Sequence, residues 1–243
     1  MTMRKRADVL LVERGLFGSR AQAQAAIAAG LVTADAILVP KASTEIALDA
    51  VLRTAPAHPW VSRGGVKLAA ALEASETSVQ GRVCLDVGAS TGGFSEVLLA
   101  RGARLVYAVD VGHGQLHGRL RGLQDLISFE RTDVRALDPA RLTEQPEVVV
   151  VDVSFISLKH VLPAALALAA PQVRLLALIK PQFETQARHV KKGIVRDPAV
   201  HAAVCRDITA FVRSLGCQPI ATFPSPIAGG DGNLEFFIAA QRG

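Results

Sequence analysis

The stretch RVCLDVGASTGGFSEVLLARG, residues 82–102, reads as a strand, a tight turn and a helix. Its apolar run ends at Asp86, and the six positions from Gly88 to Gly93 hold three glycines, Ser90 and Thr91. In an open α/β sheet such a turn lies at the carboxyl end of a strand, where ligands bind. A dinucleotide fingerprint needs a second glycine two residues after the first, so that backbone can approach a pyrophosphate. Here Gly88 is followed by Ala89 and Ser90, and the spacing is instead D-x-G-x-x-x-G through Asp86, Gly88 and Gly92. An acid so close to the turn repels a pyrophosphate and suits a ligand with a cationic amino group, such as S-adenosylmethionine.

Outward from this unit, strands and helices alternate. Strands are expected near 83–87, 104–110, 126–130, 147–154, 173–179, 218–223 and 233–240, and helices near 93–101, 114–122, 158–170 and 198–215. Near-continuous apolar strands between helices are the mark of a parallel sheet covered on both faces. The second strand ends at Asp110, close to the ~20-residue offset at which an acid meets the hydroxyls of an adenosine ribose. The third is followed by Asp133 and Val134, where a carboxylate could accept from an adenine amino group. Carboxylates at three successive strand ends favour a nucleoside cofactor. The candidate cofactor site is therefore Asp86, the turn residues Gly88, Ala89, Ser90, Thr91, Gly92, Gly93 and Phe94, then Asp110, Asp133 and Val134, with Asp152 from the next strand.

Composition agrees with a folded enzyme. A chain of 243 residues that is 50% hydrophobic can bury a substantial core. A net charge of +5 favours polyanionic partners without requiring them. Cys84, Cys205 and Cys217 are widely spaced, with no Cys/His cluster of metal-ligand spacing, so neither a disulfide framework nor a metal site is expected. The basic N-terminus MTMRKRADVLLVERG lacks the pattern of a secretory leader. The apolar run from 161 is cut by Pro163, Pro171 and Arg174, short of a membrane span. A cytoplasmic protein with no membrane partner is expected.

Residues 1–54 read as a small α+β module. Two short helical segments are followed by a strand-like LVTADAILVP, with Ser19 as N-cap of the second helix and Gly30 as its stop. Arg4, Lys5, Arg6, Arg14 and Arg20 cluster on it against Asp8 and Glu13. Pro56 and Pro59 mark residues 55–60 as a linker, and a second domain is expected over 61–243.

Four ionisable residues stand where plain structure would not ask for them. Asp152 closes EVVVV, Lys180 closes RLLALI, Glu235 interrupts GNLEFFIAA, and Lys67 enters a helix behind paired glycines. Each alone reads as structural. Together they are suggestive, since this chain has seven lysines and otherwise uses arginine, which cannot give up its proton.

The motifs VSRGGVKL, LDVGASTGGFS, VVVDVSFISL, IKPQFE and SPIAGGDGNLEFF, in that order, resemble the TlyA (haemolysin A) family of ribosomal RNA ribose methyltransferases. The resemblance spans essentially the whole chain. It implies a doubly wound Rossmann-like domain, S-adenosylmethionine as cofactor, and transfer to a cytidine 2'-hydroxyl in ribosomal RNA or a ribosomal subunit. It also implies a catalytic Lys67, Asp152, Lys180 and Glu235, with Lys180 our choice of proton acceptor. RADVLLVERGLFGSRAQAQAAIAAGLV resembles an S4 RNA-binding domain, although TADA stands where such domains usually carry Val-Asn-Gly. RNA contacts are then expected from Arg4, Lys5, Arg6, Arg14, Ser19 and Arg20, and from Arg63 at the head of the second domain. The competing readings are an RNA-binding protein with an inactive methyltransferase domain, a membrane-lytic haemolysin and a small-molecule methyltransferase.

Overall fold

The computed structural model describes residues 3–54, 58–229 and 231–243. The chain divides into two compact units, Met1–Pro59 and Trp60–Gly243. Of the expected linker, residues 55–57 lie outside the described residues.

The first unit runs β1 (Arg4–Arg6), α1 (Ala7–Glu13), α2 (Arg20–Ala28), β2 (Val32–Ala34), β3 (Ile37–Leu38), β4 (Glu45–Ala47) and β5 (Leu52–Thr54). Ser19 caps α2, its Oγ accepting from the Gln22 amide at 3.3 Å, and Gly30 follows the helix with a left-handed φ of 70°. Leu10, Leu11, Ala23, Ile27, Val32 and Ile46 form its core. The TADA turn between β2 and β3 holds Asp35 and Ala36 both at positive φ, 50° and 64°, the twist a two-residue hairpin demands. Asp35 Oδ1 accepts from the Val51 amide at 2.8 Å, which anchors the turn without Asn-Gly.

The second unit runs α3 (Arg63–Ala74), β6 (Val83–Val87), α4 (Gly93–Ala100), β7 (Leu105–Val109), β8 (Leu126–Phe129), β9 (Val148–Val151), α5 (Leu158–Ala167), β10 (Val173–Ile179), α6 (Pro181–Glu184), α7 (Pro198–Ser214), β11 (Gln218–Pro224) and β12 (Phe236–Arg242). The strands make one sheet in the order β11-β12-β10-β9-β6-β7-β8. Alternation along β6 decides the layers: Val83, Leu85 and Val87 face α5 and α7, while Cys84 faces α3 and α4. His201, Val204, Ile208 and Val212 give α7 its buried stripe. No helix of the described residues is long and apolar enough to cross a membrane.

Three expectations are corrected. The sheet is mixed, because β12 lies antiparallel between β10 and β11. Its start therefore sits at the carboxyl ends of the parallel strands, and Glu235 precedes the strand instead of interrupting it. The helix expected over 114–122 is an irregular loop with one tight turn at Gly118–Leu120. Leu116 and Leu120 have helical spacing, but Gly112, Gly114, Gly118 and Gly122 each oppose a helix by about 1 kcal/mol. Both leucines instead pack over Gly92, where any Cβ would collide with them.

Candidate active site

Two cavities open over the carboxyl ends of the central strands. The first, of about 380 Å³, is walled by Gly88 and Ser90 from the turn, by Asp110, Thr132, Asp133 and Val134 after β7 and β8, and by residues 152–156 after β9. The second, of about 430 Å³, lies between the heads of α3 and α4, with Arg63, Lys67, Ala89, Thr91, Gly93 and Phe94 in its wall. Gly88, Ser90 and Asp152 line both. Each is of ordinary ligand-site size. Gly88 makes the junction, for at a φ of 85° an added Cβ would run into the main-chain carbonyl of Asp152.

Asp110 is fixed at the wall of the first cavity. Its Oδ2 accepts from the Ser90 amide at 2.8 Å and its Oδ1 from the Gly112 amide at 2.7 Å. A carboxylate has about four acceptor positions, so two remain for a diol. Asp133 meets the guanidinium of Arg135, with Nη2 to Oδ2 at 2.6 Å, and this pairing, followed by the Arg135 amide, holds its carboxyl below the ordinary value. Phe155 is 91% exposed at the cavity mouth, at a positive φ of 64°, its ring centroid 5.1 Å from that of Phe183.

Asp86 stands apart from the sequence expectation. It is fully buried behind the turn, outside both cavity walls, with Oδ2 accepting from Ser95 Oγ at 2.6 Å and Oδ1 without a hydrogen-bond partner. Its position on the second face of β6 turns it toward α4, and burial raises its pKa to about 7. Its carboxylate meets Ser95 and lines neither cavity. Gly92 also lies outside the walls, as the left-handed N-cap of α4.

The four lysine and acid candidates form two ion pairs. Lys67 Nζ donates to Glu235 Oε2 at 2.5 Å, with 10% and 3% of their side chains exposed. Lys180 Nζ lies 2.6 Å from Asp152 Oδ1, but its hydrogen bond goes to Ser154 Oγ at 2.8 Å. Lys67 and Asp152 face the second cavity together, whereas Lys180 and Glu235 stand behind them. Sequence reasoning missed Ser154, two residues past Asp152. It also missed Gln115, whose Oε1 accepts from Ser90 Oγ at 3.1 Å. A polar residue following a strand-end acid was the available signal for the first, while the second depended on a loop path that the sequence did not reveal.

The basic residues of the first unit are largely engaged within it. Arg6 and Arg20 both meet the buried Asp8, at 3.0 and 2.8 Å. Arg6 above all, with Arg20 and Gln24, holds that carboxyl well below its usual range. Lys5 pairs with Glu13 at 2.6 Å, Arg14 donates to the carbonyls of Leu48 and Ala50, and Arg4 donates to that of Glu45. Arg63 donates to the Ala228 carbonyl at 2.6 Å.

A seven-stranded sheet with one antiparallel strand, two joined cavities at its switch point and a lysine and acid cluster at their junction define a Rossmann-type methyltransferase domain. The chain belongs to the FtsJ-like methyltransferase family, whose profile matches residues 60–242, and its full-length relatives place it in the TlyA family. It is 45% identical to YqxC of Bacillus subtilis, a candidate rRNA methyltransferase, over 98% of this chain and 86% of that one. It is 43% identical to the 16S/23S rRNA (cytidine-2'-O)-methyltransferase TlyA of Mycobacterium tuberculosis, over 98% of this chain and 90% of that one. A solved structure from Streptococcus thermophilus, described as a candidate hemolysin, matches with a TM-score of 0.78 at 39% identity, covering 100% of this chain and 90% of that one.

Proposed function

We propose that this chain transfers a methyl group from S-adenosylmethionine to a ribose 2'-hydroxyl, that of a cytidine, in ribosomal RNA. The observation that carries the reading is the junction at Asp152, which lines both cavities and pairs with Lys180 directly behind it. The residues fit the cofactor. Asp110 has acceptor capacity left for a ribose diol, Asp133 and Val134 line the same cavity and would meet the adenine, and the turn from Gly88 to Ser90 would pass the amino acid end. Bound S-adenosylmethionine supplies an activated methyl group on a sulfonium.

The chain's own task is to align the hydroxyl and relieve it of its proton. Lys180, held in place by Ser154 and Asp152, accepts that proton. Lys67, fixed by Glu235, supplies a cation to the pocket. The N-terminal unit serves as an S4-like RNA-binding module, with ribosomal RNA or an assembled subunit as partner in the cytoplasm.

The test is label transfer from S-adenosylmethionine to naked ribosomal RNA, free subunits and whole ribosomes, followed by mapping of the modified nucleotide. A 2'-O-methylcytidine in any of these supports the reading. Absence of transfer to all three, with cofactor bound, overturns it and favours an inactive RNA-binding domain. Leakage of liposomes by the same preparation would favour the lytic reading.

A further inference from the structure

We propose that residues 186–196 form a phosphate-docking strap that receives the RNA strand beside the target nucleotide, an inference that rests on the RNA-directed reaction above. The segment leaves the carboxyl end of β10 directly after Lys180 and α6, on the edge of the sheet where both cavities open. Between Glu184 and Asp197 it carries Arg188, His189, Lys191, Lys192 and Arg196 and no acid. Arg188, Lys191, Lys192 and Arg196 are exposed, and among the described residues none of them forms an ion pair. This is the reverse of the first unit, where Lys5, Arg6 and Arg20 are already matched by carboxylates. Unmatched cations are the ones that gain most from a polyanion, since each phosphate they neutralise releases counterions.

The strap is built to hold its shape. Lys192 and Gly193 sit at positive φ, 52° and 78°, and close a two-residue turn. The Lys191 amide donates to Ile194 O at 2.9 Å, and the Ile194 amide returns to Lys191 O at 3.0 Å. Beyond the turn, Val195 is gripped at both main-chain groups. Its amide donates to Asn233 Oδ1 at 3.0 Å, and its carbonyl lies 3.0 Å from His201 Nε2. Asn233 is buried and donates from Nδ2 to Gly193 O at 2.9 Å. It stands two residues before Glu235, and the His201 ring packs on Phe236 at 5.6 Å. The same short stretch thus positions the strap and delivers the partner of Lys67. Phosphates docked on the strap would set the register of the ribose against the lysine and acid cluster.

The experiment is binding of the full chain to a ribosomal RNA transcript by fluorescence anisotropy over a salt series, comparing wild type with the double variant Lys191→Gln/Lys192→Gln. The expected result is weaker binding and a log–log salt slope smaller by about 1.4 to 1.8, the share of two phosphate contacts. Calorimetry should give an unchanged affinity for S-adenosylmethionine, which verifies the fold. A second pair, Arg188→Gln/Arg196→Gln, is expected to lower the slope in the same way. Wild-type affinity and slope in both pairs overturn the strap. Methyl transfer by the wild type with unmoved slopes removes the strap and leaves the reaction standing; reduced slopes without methyl transfer by the wild type do the opposite.

Discussion

Lys180 lies 2.6 Å from Asp152 Oδ1, yet the hydrogen bond it donates goes to Ser154 Oγ. The Ser154 hydroxyl thus fixes the direction of the Lys180 side chain beside the Asp152 carboxylate. Lys180→Arg preserves charge but cannot serve as proton acceptor. The variant should bind S-adenosylmethionine normally and lose roughly 10²- to 10⁴-fold in single-turnover methylation, with no recovery at higher pH. A rate near that of wild type would show that the proton leaves by another route.

The Lys67–Glu235 pair is almost entirely shielded from water. Removing one member strands the other charge, at a cost of about 3–5 kcal/mol. Lys67→Met and Glu235→Leu should each lower the urea midpoint sharply, while the double variant regains most of the loss and remains inactive. Single variants as stable as wild type would mean that the pair is open to solvent in solution.

Asp86 ties stability to pH. An aspartate carboxyl ordinarily ionises near 3.8, whereas burial raises that of Asp86 to about 7 in the fold, opposed by the Ser95 hydroxyl. Between those values the folded chain retains a proton that the unfolded chain has released, so stability falls as pH rises from about 4 to about 7. At 1.36 kcal/mol per pKa unit the total is at most on the order of 4 kcal/mol. Asp86→Asn should flatten this slope and exceed wild type in stability above neutral pH, as read from urea midpoints across the range. Parallel profiles for the two proteins would place the titration elsewhere.

Asn233→Ala should open the strap to protease. The variant leaves the buried Val195 amide without its acceptor, at a cost of about 1–3 kcal/mol. Limited trypsinolysis with mass spectrometry is expected to cut after Arg188, Lys191 or Lys192 well before it does so in wild type. Identical cleavage kinetics would show that the His201 contact suffices.

Much of this architecture was legible in residues 82–102 alone, because a strand, a bare turn and a helix admit few arrangements. Asp110, Asp133 and Asp152 could be placed from strand ends, and all three line the first cavity. Other features depend on contacts across the chain. The buried aspect of Asp86 follows from its partner Ser95 on α4. The pairing of Arg6 and Arg20 on one buried carboxylate, Asp8, could not be seen from a cluster of basic residues near the N-terminus. The loop at 111–122 carries leucines at helical spacing, and its glycines outweigh them. Glu235 reads as a misplaced charge until the reversed direction of β12 brings it to the ligand edge.

That reversed strand also sets an order in time. During synthesis, Lys67, Asp152 and Lys180 leave the ribosome well before β12 does. Glu235 comes last of the four, just ahead of the strand that pairs with both β10 and β11. Lys67 is made 168 residues ahead of its carboxylate partner. The Lys67–Glu235 pair can therefore form only once the chain has been made as far as Glu235.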